Sequence, residues 1–243
     1  MRFVLIHGGF HGAWCWDLLI PELERRGHAA VAIDLPGHGE RAHEEATLAG
    51  YRDAVVQAIE PGDVLVGHSL GGFIVSVAAD AVVDKLQHVV YLAAGLPVEG
   101  QAMFGGDAGR AMGDGDKIEL VDEGRRAMWR SAEAATEFFY HDCPRDLAEW
   151  ACSKLTPQPL APALEPISIP NFWAANLPRS LVLCRQDRAG GGAEATATNA
   201  RRLGVEPLWM DSSHSPFLSR PSECADVLLE AVKRKPVAEL SPI

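Results

Sequence analysis

A serine that attacks a carbonyl needs a base to take its proton, an acid to orient that base, and donors for the oxyanion that forms. One serine of this chain stands in a setting suited to that chemistry, within Asp63-Val64-Leu65-Val66-Gly67-His68-Ser69-Leu70-Gly71-Gly72. A short β-branched run enters Gly67-His68-Ser69-Leu70-Gly71, a G-x-S-x-G pattern, and an apolar helical segment follows at once. Strand before and helix after make the pattern a nucleophile elbow rather than a plain Gly-Ser-Gly turn. The turn strains the serine backbone and brings neighbouring chain so close that only glycine fits on either side. The helix N-terminus beneath Ser69 favours developing negative charge.

In an elbow of this kind the partners follow in the order serine, acid, histidine. His214 follows the last apolar run, Glu206 to Met210, and Asp187 follows the run before it, Ser180 to Cys184. The other candidates fit less well. His68 neighbours Ser69 and is expected to point elsewhere; His7 and His11 lie in the first loop, and His141 lies in the stretch read below as a cap. Asp34 precedes the serine and is expected to fix the Leu35-Pro36-Gly37 turn, while Asp211 sits too near His214 on one strand end. For the oxyanion, the Leu70 N–H supplies one donor and the His7-Gly8-Gly9 loop the other, with Gly9 as the candidate. A metal on His7 and His11 is disfavoured by the intervening Gly8-Gly9, and that loop does not satisfy the G-x-G-x-x-G of a dinucleotide site. Neither metal nor cofactor is expected.

The elements that must hold these groups alternate. Phe3 to Ile6, Ala29 to Ile33, Val64 to Val66 and Gln87 to Ala93 are short apolar runs of the kind buried on both faces of a parallel sheet. Between them Ala13 to Arg26, Tyr51 to Ile59 and Phe73 to Val83 show helical spacing. With Ser180 to Cys184, Ala193 to Leu203, Glu206 to Met210 and a last helix from Pro221 to about Lys233, this predicts an α/β fold. Its mostly parallel six-stranded sheet carries helices on both faces, with the site at the strands' carboxyl ends. The core spans 1–95 and 177–235, and 236–243 reads as a loose tail. Residues 96–176 show no clear buried strand and read as an inserted helical cap, with amphipathic pieces such as Arg125 to Phe139 and Asp146 to Lys154. Most of its aromatics form the cap's own core; Trp129, with Phe10 of the first loop, is a candidate for lining the substrate pocket.

The length of 243 residues suits one large domain, and a net charge of −11 disfavours nucleic acid or an anionic membrane as a partner. The first apolar run is too short for a signal sequence or a membrane span. The five cysteines are scattered with no C-x-x-C pair, so a reducing cytoplasm is the expected compartment.

Taken together, His7-Gly8-Gly9-Phe10-His11-Gly12-Ala13-Trp14-Cys15-Trp16, Asp34-Leu35-Pro36-Gly37-His38-Gly39 and Gly67-His68-Ser69-Leu70-Gly71-Gly72 resemble the α/β-hydrolase superfamily. More narrowly they resemble the plant methylesterase and hydroxynitrile lyase family and its bacterial esterase relatives. So do Phe139-Tyr140-His141-Asp142-Cys143-Pro144-Arg145-Asp146-Leu147, Leu155-Thr156-Pro157-Gln158-Pro159-Leu160 and His214-Ser215-Pro216-Phe217-Leu218-Ser219-Arg220-Pro221. The resemblance implies a Ser69–His214–Asp187 triad, supports Gly9 and Leu70 as oxyanion donors, and is compatible with a homodimer. The lyase branch carries a threonine in the first loop and a lysine after the histidine, where this chain has Gly8 and Ser215. Hydrolysis of a small, largely apolar carboxylic ester is therefore the leading expectation. Lyase-like or other cofactor-free chemistry, and a non-catalytic small-ligand receptor on the same fold, are the alternatives. After Asp187 the match weakens, and Gly190-Gly191-Gly192 predicts a mobile loop.

Overall fold

Alternate residues of each apolar run bury on opposite faces of one sheet. Phe3, Leu5, Val64, Val66, Val90, Leu92 and Val182 pack into one core, and Val4, Ile6, Leu65, Val89, Tyr91 and Leu181 into the other. A strand buried on both faces has no polar side to show, which is why these runs are continuously apolar. The structure, a computed structural model, describes residues 1–104, 116–189 and 192–234. The glycines at 105–115, Gly190-Gly191 and the 236–243 tail lie outside the described residues.

The strands in chain order are β1 (Arg2–Ile6), β2 (Ala29–Ile33), β3 (Asp63–His68), β4 (Leu86–Leu92), β5 (Ile118–Val121), β6 (Arg126–Trp129), β7 (Gln158–Pro159), β8 (Arg179–Cys184) and β9 (Leu208–Met210). Six of them form the main sheet in the order β2-β1-β3-β4-β8-β9, with every pair parallel. The register sets Ile6 opposite Gly67, His68 opposite Leu92 and Cys184 opposite Met210, so the carboxyl ends meet along one edge. The helices Leu48–Ala58 and Gly71–Ala81 cover one face, with Tyr51, Val55, Ile74 and Ala78 in its core. Ile20–Arg25 and Pro221–Ala231 cover the other, through Leu23, Ala225 and Leu228.

Two expectations change. The first predicted helix is two pieces, a 3-10 turn at Ala13–Trp16 and a helix at Ile20–Arg25. Pro21 explains the break: proline has no N–H for a helix interior but starts a helix well. The cap is not wholly helical either, because β5, β6 and β7 form an antiparallel sheet within it. The stretch Arg126–Trp129, expected to be helical, is β6, and it buries alternate residues Ala127 and Trp129. Its hairpin with β5 turns through Asp122, Glu123 and Gly124, all at positive φ. The helix begins only at Ala132, where the Ser131 side chain caps the Ala134 N–H. It runs directly into a π-helical turn at Thr136–Tyr140, where the consecutive residues Phe139 and Tyr140 are both buried.

Candidate active site

Ser69 stands between the end of β3 and the helix Gly71–Ala81 with φ +52°, a left-handed backbone rare for a residue with a side chain. A Cβ at Gly67 would lie 2.7 Å from both the Gly71 carbonyl oxygen and Val75 Cγ2. At Gly71 it would lie 2.6 Å from the His7 oxygen and 2.7 Å from the Ile6 oxygen, backbone atoms that cannot swing aside. The elbow therefore requires both glycines, as the motif predicts. The Ser69 N–H donates to the Leu92 oxygen at 3.3 Å, and the Ser69 oxygen accepts from Gly72 and Gly95. The Leu70 N–H has no acceptor among the described residues, as expected in the first turn of a helix.

Asp187 and His214 meet because strand pairing continues past the strand ends. The Arg185 N–H donates to Met210 at 2.9 Å and the Gln186 N–H to Ser212 at 3.1 Å. Asp187 then places both carboxylate oxygens 2.9 Å from His214 Nδ1. A carboxylate can only accept, so Nδ1 carries the proton and the Nε2 lone pair is left for another group. Nε2 is buried with no hydrogen-bond partner among the described residues. The other acidic candidates do different work. Asp34 accepts from the Ala13 and Glu40 N–H groups, tying two loops, and Asp211 accepts from the Gln186 side chain.

His68 does not point away from the site, as its position beside Ser69 suggests. Its ring centroid is 4.6 Å from that of His214, and its Nε2 donates to the His214 carbonyl at 2.9 Å. Burial holds the His68 ring well below the ordinary histidine range, so it braces the histidine loop as a neutral group. Phe139 from the π turn stacks on the His214 ring at 5.6 Å and 24°. Ser213, just before His214, ties to the same turn: its Oγ donates to the Phe139 carbonyl, and Asp142, two residues past the turn, accepts its N–H at 2.9 Å.

The first loop lies directly on the elbow. A Cβ at Gly8 would stand 2.8 Å from Ser69 Cβ and 2.9 Å from His68 Nδ1. The Leu35 N–H donates to His7 Nε2 at 3.2 Å, which leaves His7 Nδ1–H to donate to the Gly8 oxygen at 2.8 Å. His11 Nδ1–H donates to the Gly9 oxygen at 2.7 Å, and its Nε2 accepts from the Tyr140 hydroxyl at 2.7 Å. Phe10, at φ +66°, donates its N–H to the Gln158 side-chain oxygen at 3.1 Å. The Gly9 N–H has no acceptor among the described residues. The N–H groups of Gly9 and Leu70, the two expected oxyanion donors, are therefore both unengaged among the described residues. Phe10 packs against Trp129 at 5.7 Å and Phe139 at 6.3 Å, joining the loop to the cap.

The sequence places Phe139 and Tyr140 only among the aromatics of the cap and assigns no role to His68, Asp142 or Gln158. Phe139, Tyr140, Asp142 and Gln158 all fall in the cap stretches that carry the family resemblance. Among the described residues no group of three or more histidines, cysteines or acids is arranged to hold a metal ion. No helix among them is long and apolar enough to cross a membrane.

A model of the alpha/beta hydrolase family matches residues 3–227. Esterase PIR7B of Oryza sativa subsp. japonica is 41% identical over 111 residues, a match spanning 42% of this chain and only 41% of that protein. The putative chloroplastic methylesterase 12 of Arabidopsis thaliana is 27% identical over 248 residues, 94% of this chain and 71% of that protein. Among solved structures, a pyrethroid hydrolase from Sphingobium faniae JZ-2 superposes with a TM-score of 0.81 at 25% identity, covering 96% of this chain and 97% of that one.

Proposed function

We propose that this chain, which belongs to the alpha/beta hydrolase family, is a cofactor-independent serine esterase acting on a small, largely apolar carboxylic ester. The single observation that carries the reading is the state of His214. Its Nδ1 proton is held by both oxygens of Asp187 and its buried Nε2 is unengaged, while Ser69, in left-handed geometry, directly follows the His68 whose ring packs on that of His214. In the first step Ser69 Oγ attacks the ester carbonyl while His214 Nε2 takes the hydroxyl proton. Asp187 holds the tautomer and balances the imidazolium. The tetrahedral oxyanion accepts from the Gly9 and Leu70 N–H groups, an arrangement in which each donor is worth about 10²–10³ in rate. The C–O bond to the alcohol then breaks, and His214 returns the proton to that leaving group. Water, deprotonated by the same Nε2, hydrolyses the acyl-enzyme and regenerates Ser69.

The names of the relatives support ester chemistry: esterase, methylesterase and pyrethroid hydrolase. Phe10 and Trp129, packed with Phe139 above the first loop, are proposed to line the apolar part of the substrate site. Lyase chemistry on a cyanohydrin is disfavoured because the residue after His214 is the buried, uncharged Ser215. The test is a Ser69→Ala protein assayed against p-nitrophenyl and methyl esters. Turnover should fall at least about 10⁴-fold with the melting temperature unchanged. Hydrolysis at the wild-type rate would remove Ser69 from the mechanism.

A further inference from the structure

Gly9 has the wide backbone freedom of a glycine, yet its N–H must keep one direction if it is to meet an oxyanion. Both peptide planes that flank it are gripped. In the Gly8–Gly9 plane the carbonyl accepts from His7 Nδ1–H at 2.8 Å. Because a trans peptide sets its N–H opposite its carbonyl, this aims the Gly9 N–H away from His7. In the Gly9–Phe10 plane both ends are engaged: the carbonyl accepts from His11 Nδ1–H at 2.7 Å, and the Phe10 N–H donates to Gln158 at 3.1 Å. With both planes held, neither Gly9 torsion is free. The Phe10 N–H is also withdrawn from competition for the oxyanion.

The grip on the second plane comes from the cap. His11 is fully buried, with Nε2 bonded to the Tyr140 hydroxyl at 2.7 Å. Burial holds its pKa down at about 3, so the ring is neutral, donates at Nδ1 and accepts at Nε2. Tyr140 is itself buried at the end of the π turn, and its neighbour Phe139 stacks on His214. Two consecutive cap residues thus touch the two halves of the site, one at the base and one at the oxyanion loop.

We propose that Tyr140 and His11 are positioning residues for the oxyanion hole: the Tyr140 hydroxyl fixes the tautomer and orientation of His11, and His11 locks the Gly9–Phe10 peptide so that the Gly9 N–H points at the developing charge. This inference rests on the serine-esterase reading. Neither residue touches substrate; they act through Gly9. Their loss therefore falls on transition-state stabilisation rather than on ester binding, and appears in kcat rather than KM.

The experiment compares wild type with Tyr140→Phe, His11→Asn and His11→Phe, measuring kcat and KM on a p-nitrophenyl ester. It adds the inhibition constant of a trifluoromethyl ketone, which binds as a hemiketal oxyanion, and the melting temperature. Tyr140→Phe should lower kcat about 10-fold, and His11→Phe about 100-fold, with KM within about 3-fold of wild type. His11→Asn keeps an N–H donor near the Nδ1 position and should recover most of the loss. In each variant the ketone should weaken by the factor that kcat/KM falls. Folded variants with unchanged kcat, or with the whole loss in KM, would overturn the proposal. If His11→Phe does not fold, Tyr140→Phe, which removes a single oxygen, decides the matter. A wild type whose Ser69 reacts with neither the ester nor a fluorophosphonate overturns the esterase reading itself, an outcome distinct from active wild type beside unaffected variants.

Discussion

The two halves of the site are built by different means. The elbow half is set by backbone: Ser69 is driven to φ +52°, and at Gly67 and Gly71 main-chain oxygens leave no space for a Cβ. Asp187 and His214 join it through a continuation of the β8–β9 ladder. The first-loop half is set by side chains. His7 and His11 from the loop itself and Gln158 from the cap hold two successive peptide planes, and Tyr140 of the cap holds His11 in turn. Backbone packing positions a group through atoms that have no alternative rotamer. Side-chain positioning works through groups that can be truncated one at a time or protonated, so the two halves should fail differently.

The largest effect is expected at the acid. Asp187→Asn keeps the shape but replaces an acceptor with an amide that can donate to Nδ1, which moves the imidazole proton to Nε2 and removes the base. A fall of about 10⁴-fold in kcat is expected from the loss of the correct tautomer, read as initial rates on the p-nitrophenyl ester. The bonds of His11 and Gln158 lie outside this pair, so the His11 and Tyr140 variants and Asp187→Asn should show different ratios of kcat loss to stability loss. An Asp187→Asn enzyme within 10-fold of wild type would mean that strand-end pairing is not what arms His214.

Next comes the backbone itself. Gly71→Ala puts a methyl carbon 2.6 Å from the His7 oxygen, so the helix must retreat from β1 and carry the Leu70 N–H with it. Overpacking of this kind costs about 1–3 kcal/mol, measurable by urea unfolding, and turnover should drop with it. Equal stability and activity in this variant would break the contrast, because the elbow would then tolerate adjustment as the loop does.

That contrast also accounts for what could be read beforehand. Gly67, Ser69 and Gly71 advertise the elbow because backbone constraint selects residue types at fixed local spacing. The runs at 3–6, 64–66 and 180–184 advertise the sheet because burial on both faces selects continuous apolar character. Asp187 and His214 are legible as candidates because each follows one of the last two apolar runs. The role of Tyr140 was not legible, since the partners His11 and Tyr140 are 129 residues apart and joined by one hydrogen bond that leaves no periodic trace. The orientation of His68 is illegible for a related reason: the loop that folds back over it, with the His214 carbonyl, comes 146 residues later. The cap strand Arg126–Trp129 is not legible because four residues are too few for a period of two to stand out within a longer amphipathic stretch.

The smallest effect separates the halves by pH. Burial lowers the pKa of His7, His38 and His68, and brings His11 to about 3. His88 in β4, outside the site, is lowered to about 4 for the same reason. A histidine lowered in the folded state takes up a proton on unfolding at any pH between its folded value and the unfolded value near 6.5. Stability is therefore unaffected above about pH 7.5 and falls as pH drops through 6.5, with the His11 contribution still accumulating down to about 3. Each such histidine contributes a slope approaching about 1.4 kcal/mol per pH unit. Urea unfolding between pH 7.5 and 5.5, above the range where ordinary carboxylates titrate, isolates this uptake. His11→Asn should reduce the slope by close to one proton, whereas Gly71→Ala should lower stability by a constant amount and leave the slope alone. If both substitutions shift the curve in parallel, the neutral His11 ring is not under the burial strain that makes it a rigid donor to Gly9, and the side-chain half of the site is held no more tightly than an exposed loop.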